Sequence, residues 1–164
     1  MNPQILDRFS NIRLPEWDDL PDLDLYMDQV ISLLQRYLGQ FPSPDEKGIT
    51  SSMINNYVKQ GVIPPPKKKR YNRIHLAYLV MVYILKTALS ISQIRLLLVE
   101  ELSSQDLSAF YTSFRDSFRS AAADSVSRYR DAGSDALSLS STAAIRAYVE
   151  QSISYACWTS DRME

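Results

Sequence analysis

Residues 48–73 read GITSSMINNYVKQGVIPPPKKKRYNR. Thr50 is an N-cap residue, and the stretch behind it predicts a short helix to about Gln60, with Gly61 as its left-handed stop. Ile63-Pro-Pro-Pro66 must be extended, because proline fixes its own φ and disfavours helix in its predecessor. Asn72 can cap a further helix. From residue 47 to residue 76 there are seven cations and no acid, whereas residues 1–46 sum to −6 and residues 77–164 to −2. The chain's net charge of −1 therefore hides one concentrated basic segment. A field of one sign focused on a helix start and the loop behind it attracts a polyanion. Nucleic acid is the expected partner.

Outward from this stretch the pattern is helical. Leu23, Tyr26, Met27, Val30, Leu33, Leu34, Tyr37 and Leu38 recur at 3, 4 spacing and predict a helix over 23–38, closed by Gly39. Prolines 42 and 44 make 41–48 a loop. Residues 76–85 are apolar without interruption, so a helix over 73–89 is the buried central one. Ser90-Ile-Ser-Gln93 is a capping box opening a helix over 91–102. A long helix over 104–129 carries Leu107, Phe110, Phe114 and Phe118 on one stripe. Asp131-Ala-Gly-Ser-Asp135 is a turn, and a last helix over 141–157 offers Ile145, Val149, Ile153 and Ala156. The fold class is all-α. Residues 1–22, with three prolines, form an arm that can dock through Leu14, Trp17 and Leu20. Residues 23–102 form the main domain, and 103–164 a C-terminal helical pair.

Composition narrows the function. With 164 residues, 45 % of them hydrophobic and 23 % charged, the chain is ordinary single-domain globular material. One cysteine, Cys157, excludes an internal disulfide and suits a reducing cytoplasm. The longest apolar run is about half of a membrane span, and the first twenty residues are too polar for a signal peptide. One histidine, one cysteine and no glycine-rich phosphate loop argue against an enzyme, and no cofactor is implied. His75 has no ligand at metal spacing. Asp18-Asp19-x-x-Asp22-x-Asp24 lacks the glycine and glutamate of a calcium loop; it is a cluster that can fold over the basic segment instead.

Gly48-Ile-Thr-Ser-Ser-Met-Ile-Asn-Asn-Tyr57 resembles the Gly-Val-Ser-x-x-Thr-Ile-Arg-Tyr-Tyr recognition-helix stretch of MerR-type regulators. Gly61-Val-Ile-Pro-Pro-Pro66 is similar to the Gly-Leu-Ile-x-Pro behind it. Lys69-Arg-Tyr-Asn-x-x-x-Leu76 resembles the wing end, and Leu89-Ser-Ile-Ser-Gln-Ile-Arg95 the later Phe-Ser-Leu-x-x-Ile-Lys. Leu14-Pro-x-Trp17, Leu25-Tyr-Met-Asp-Gln29 and Met53-Ile-Asn-Asn-Tyr-Val-Lys59 also resemble the uncharacterised bacterial domain-of-unknown-function family 1836. The MerR resemblance implies a winged helix-turn-helix core, a homodimer paired through its C-terminal helices, and duplex DNA as partner. The chain departs from that pattern in three places. The short helix before the glycine is replaced by the proline-broken loop 39–47, the wing between Pro66 and Lys69 is shortened, and Asn55 and Asn56 replace an arginine and a tyrosine.

On that implied geometry the helix at 50–60 enters a major groove. Asparagine can donate and accept in one plane, matching adenine, and Asn55 shares a face with Ser51 and Ser52. Asn56 points about 100° away, so of the pair Asn55 is the better base reader. Thr50 and the free N–H groups of the first turn suit a phosphate. Lys59, Lys67, Lys68, Lys69, Arg70 and Arg73 are the cations available to flanking phosphates; five contacts would give a salt slope of log K of roughly −4 to −5. Tyr57 and Tyr71 either reach phosphates through their hydroxyls or close the core beneath the wing. Phe110, Phe114 and Phe118, with Tyr111 beside them, form a dimer seam, an intramolecular contact or the wall of an effector pocket. The function expected is DNA-binding transcriptional regulation; the alternative is a protein-interaction module on the same scaffold.

Overall fold

The computed structural model describes residues 13–39, 41, 48–98 and 104–131. The proline loop at 42–47, the turn after 131 and the expected helix over 141–157 lie outside them. Among the described residues there are five α-helices, one 3-10 turn and no strand longer than a single bridge. The helices are α1 (Met27–Leu38), α2 (Ser51–Lys59), α3 (Arg73–Leu85), α4 (Ile91–Leu98) and α5 (Ser104–Asp131).

The chain divides into two compact units, Leu14–Thr112 and a second comprising Met1–Arg13 with Ser113–Glu164. In the first, α3 is the core. Every residue from His75 to Leu85 is buried, as expected of a helix with no polar face. Helix α1 packs on α3 and α2, presenting Val30, Leu34 and Leu38 to the interior. It starts at Met27 rather than near Leu23 because Leu25 is held in extended form. Leu25 N–H donates to the Tyr71 carbonyl (2.7 Å) and Tyr71 N–H to the Leu25 carbonyl (2.9 Å). Tyr26 N–H then donates to the Gln29 side chain (2.8 Å), which caps α1.

The caps read from sequence set the other boundaries. The Thr50 hydroxyl accepts from Met53 N–H (3.3 Å), and the Asn72 side chain from His75 N–H (3.5 Å). Ser90 and Gln93 cap each other at the start of α4. Helix α2 ends in a Schellman motif: Val62 N–H reaches the Tyr57 carbonyl and Gly61 N–H the Val58 carbonyl, both at 3.0 Å. Gly61 sits at φ +68°, the left-handed conformation that motif requires.

Residues 14–26 form a strap docked on this unit, as expected for the part of the arm that carries Leu14, Trp17 and Leu20. Trp17–Asp19 is its 3-10 turn. Leu14, Leu20 and Leu25 are buried, and the Tyr37 hydroxyl on α1 donates to the Asp19 carbonyl (2.9 Å). At the far end the Tyr111 hydroxyl donates to the Pro15 carbonyl (2.8 Å), with its ring 6.0 Å from Trp17. The strap and the first turns of α5 thus belong to the same unit.

The stripe on α5 differs from expectation at one position. Leu107, Tyr111, Phe114 and Phe118 are the buried residues, while Phe110 is half-exposed. Alternating 4 and 3 spacing puts Tyr111 on the seam, and Pro15 satisfies its hydroxyl. Tyr111, Phe114 and Phe118 are buried within the chain. In the second unit Phe118, Ala121, Ala122 and Val126 continue the buried stripe, and Asp116 takes Arg115 (2.9 Å) and Arg119 (3.4 Å).

Candidate nucleic-acid interface

Helix α2 has two edges of opposite character. Ile54 and Tyr57 are buried, whereas Ser51, Ser52, Asn55, Asn56 and Lys59 are exposed. Thr50 is half-exposed at the N-cap, its hydroxyl turned back on Met53. The Asn56 side-chain oxygen accepts from Gln60 (3.1 Å), tying Asn56 to its own helix. Asn55 shows no such bond among the described residues.

The basic segment is a tight hairpin. Arg70 N–H donates to the Lys67 carbonyl (2.8 Å), and the two central residues, Lys68 and Lys69, lie at φ 49° and 60°. Two positive φ values at the centre of a two-residue loop mark a type I′ turn, which normally recruits asparagine and glycine. Lysine pays roughly 1–2 kcal/mol per residue to sit there. No local preference of the lysines explains this conformation. Lys67, Lys68 and Lys69 are all exposed, and none pairs with a carboxylate among the described residues.

The arginines behind the lysines are engaged elsewhere. Arg70 stacks its guanidinium 3.4 Å from the centroid of the Tyr26 ring and donates to the Tyr26 hydroxyl. Arg73 Nε donates to the Leu20 carbonyl (2.7 Å), its Nη1 lies 3.8 Å from Asp18, and it stands over Trp17 at 5.8 Å. Arg70 fastens the strap to the hairpin and Arg73 fastens it to α3, so both guanidiniums have partners within the domain where the lysines have none among the described residues. Tyr57 and Tyr71 are 7 % and 3 % exposed. Between the two roles open to them in sequence, the structure gives them the core role.

His75 sits beneath the hairpin. Its Nδ1 lies 2.7 Å from Asn72 Oδ1 and 3.1 Å from the Asn72 backbone nitrogen, and the Tyr71 ring meets it edge-on at 5.3 Å. Burial pushes its pKa below the ordinary histidine value, with the Pro65 carbonyl and the Asp24 charge opposing. It is a packed residue of the α3 cap. No cluster of three or more metal-ligating side chains occurs among the described residues, and none of their helices is long and apolar enough to cross a membrane.

One cation was not singled out from sequence. A side chain on Gly61 would meet Arg95 Nε at 3.8 Å. The exposed Arg95 of α4 thus lies beside the turn that ends α2, a proximity no spacing rule between positions 61 and 95 can announce.

The architecture is that of a small helical domain with a basic hairpin. Residues 15–114 match the family model of a domain of unknown function, DUF1836, and the chain belongs to that family. The matched span nearly coincides with the compact unit Leu14–Thr112. Neither a curated protein nor a solved structure matches the chain.

Proposed function

We propose that the protein is a DNA-binding transcriptional regulator, with a MerR-like winged helix-turn-helix in which α2 enters the major groove and the lysine hairpin serves as a miniature wing. The observation that carries this reading is the lysine turn. Two lysines occupy a strained conformation at the tip of an exposed hairpin, which residues 60–66 join to a helix whose polar edge is also exposed. Strain at a solvated tip that makes no packing contribution is accounted for by a ligand that needs both ammonium groups there, and duplex phosphate is such a ligand. Ser51, Ser52 and Asn55 supply donors and acceptors for base edges, Asn55 toward adenine. As a homodimer the protein would cover two half-sites one helical turn apart.

Electrophoretic retention of a random-sequence duplex tests the reading. The wild-type chain should bind at low salt, and Lys67→Ala, Lys68→Ala and Lys69→Ala combined should abolish binding. Absence of retention by the wild-type chain at low salt rejects the reading, and a partner protein copurifying instead supports a protein-interaction module.

A further inference from the structure

Resting on the DNA reading, we infer that Asp22 and Asp24 of the strap are selectivity determinants, which deny non-specific duplex a place along one flank of the lysine hairpin. The strap, residues 14–26, carries Glu16, Asp18, Asp19, Asp22 and Asp24, all exposed, and no cation. It is held in place by the paired backbones of Leu25 and Tyr71, by Arg73 on the Leu20 carbonyl and by Arg70 on Tyr26. The backbone that carries its carboxylates is therefore held in place. Asp24 adjoins the residue bonded to Tyr71, and its charge reaches His75 at the hairpin's base.

Non-specific binding is made of phosphate contacts alone, and a duplex held that way samples many poses around a cationic tip. Poses that lie along the strap bring phosphates near its carboxylates, and like-charge juxtaposition suppresses wrong complexes. A duplex registered by α2 adopts one pose and gains base contacts there. Repulsion placed on the flank thus removes competing poses while leaving the registered one intact, which is selectivity built from an unfavourable term.

Two variants test this, Asp22→Asn with Asp24→Asn, and Asp22→Lys with Asp24→Lys. Both positions are exposed, and thermal melts overlaying the wild type show that the fold is kept. Fluorescence anisotropy with a labelled random-sequence duplex is read at about 50 mM KCl and again at several-fold higher salt. The neutral variant should bind about 3- to 10-fold more tightly than wild type at the lower salt, and the lysine variant more tightly still. The gap should close at the higher salt as screening shortens the reach of the carboxylates. Wild-type binding with unchanged or weakened variant affinity overturns this inference and leaves the DNA reading standing. Failure of all three proteins to bind at the lower salt overturns the DNA reading and this inference with it.

Discussion

Arg73 donates through Nε to the carbonyl of Leu20 at 2.7 Å, joining the first turn of α3 to the strap. A guanidinium so tethered, with its Nη1 3.8 Å from Asp18, is held back from a phosphate. Of the five cations in the run 67–73, three lysines remain, so the slope of log K against log salt should be about −3 rather than −4 to −5. A titration from low to moderate salt gives the slope directly. Arg73→Ala should lower stability by about 1–3 kcal/mol, measured by urea unfolding, because a buried carbonyl loses its charged partner.

The lysine turn sets affinity against stability. Lys68→Asn with Lys69→Gly supplies the residues a type I′ turn favours and should raise unfolding free energy by about 1–2 kcal/mol. The same change removes two phosphate ligands and should weaken duplex binding about tenfold or more. A variant both more stable and equally tight in binding would show that the strained lysines are not held for a ligand.

His75 gives the stability a pH dependence of known sign. Its pKa is lowered in the folded chain by burial, so between that value and the ordinary histidine value near 6.5 the unfolded chain binds more protons. The contribution is complete above about pH 6.5 and is lost as pH falls toward the folded pKa. Melting temperature should therefore drop on acidification from pH 7.5 to 5.5, and His75→Gln should flatten that part of the profile.

Tyr111→Phe isolates the clasp between strap and α5. The ring is kept and the hydroxyl bonded to the Pro15 carbonyl is lost, leaving a buried acceptor unsatisfied at a cost of about 1–3 kcal/mol. Chemical unfolding of the variant should show this loss.

Local signals were legible in the sequence where the deciding chemistry lies within four residues. Thr50, Asn72 and the Ser90–Gln93 pair fixed three helix starts, Gly61 fixed a helix end, and the run 76–85 announced a helix buried all round. What escaped was long-range. Leu23 and Tyr26 fit a helical stripe, yet pairing with Tyr71 holds Leu25 extended and delays α1 to Met27. Arg70 and Arg73 looked like Lys67 to Lys69, because a charge count does not show which cations a distant aromatic ring or carbonyl will engage. The run Lys-Lys-Lys-Arg contains none of the residues that normally mark a type I′ turn, so that turn had no sequence signature. The α5 stripe was placed correctly at Leu107, Phe114 and Phe118 and missed by one residue at Tyr111, whose partner lies at Pro15.

That last bond has an architectural consequence. Because Pro15 and Tyr111 meet, the compact unit takes in the chain and releases it at neighbouring points. A piece of protein whose entrance and exit lie side by side can be spliced into a surface loop of a host, or have its ends joined and be reopened elsewhere, without being pulled apart.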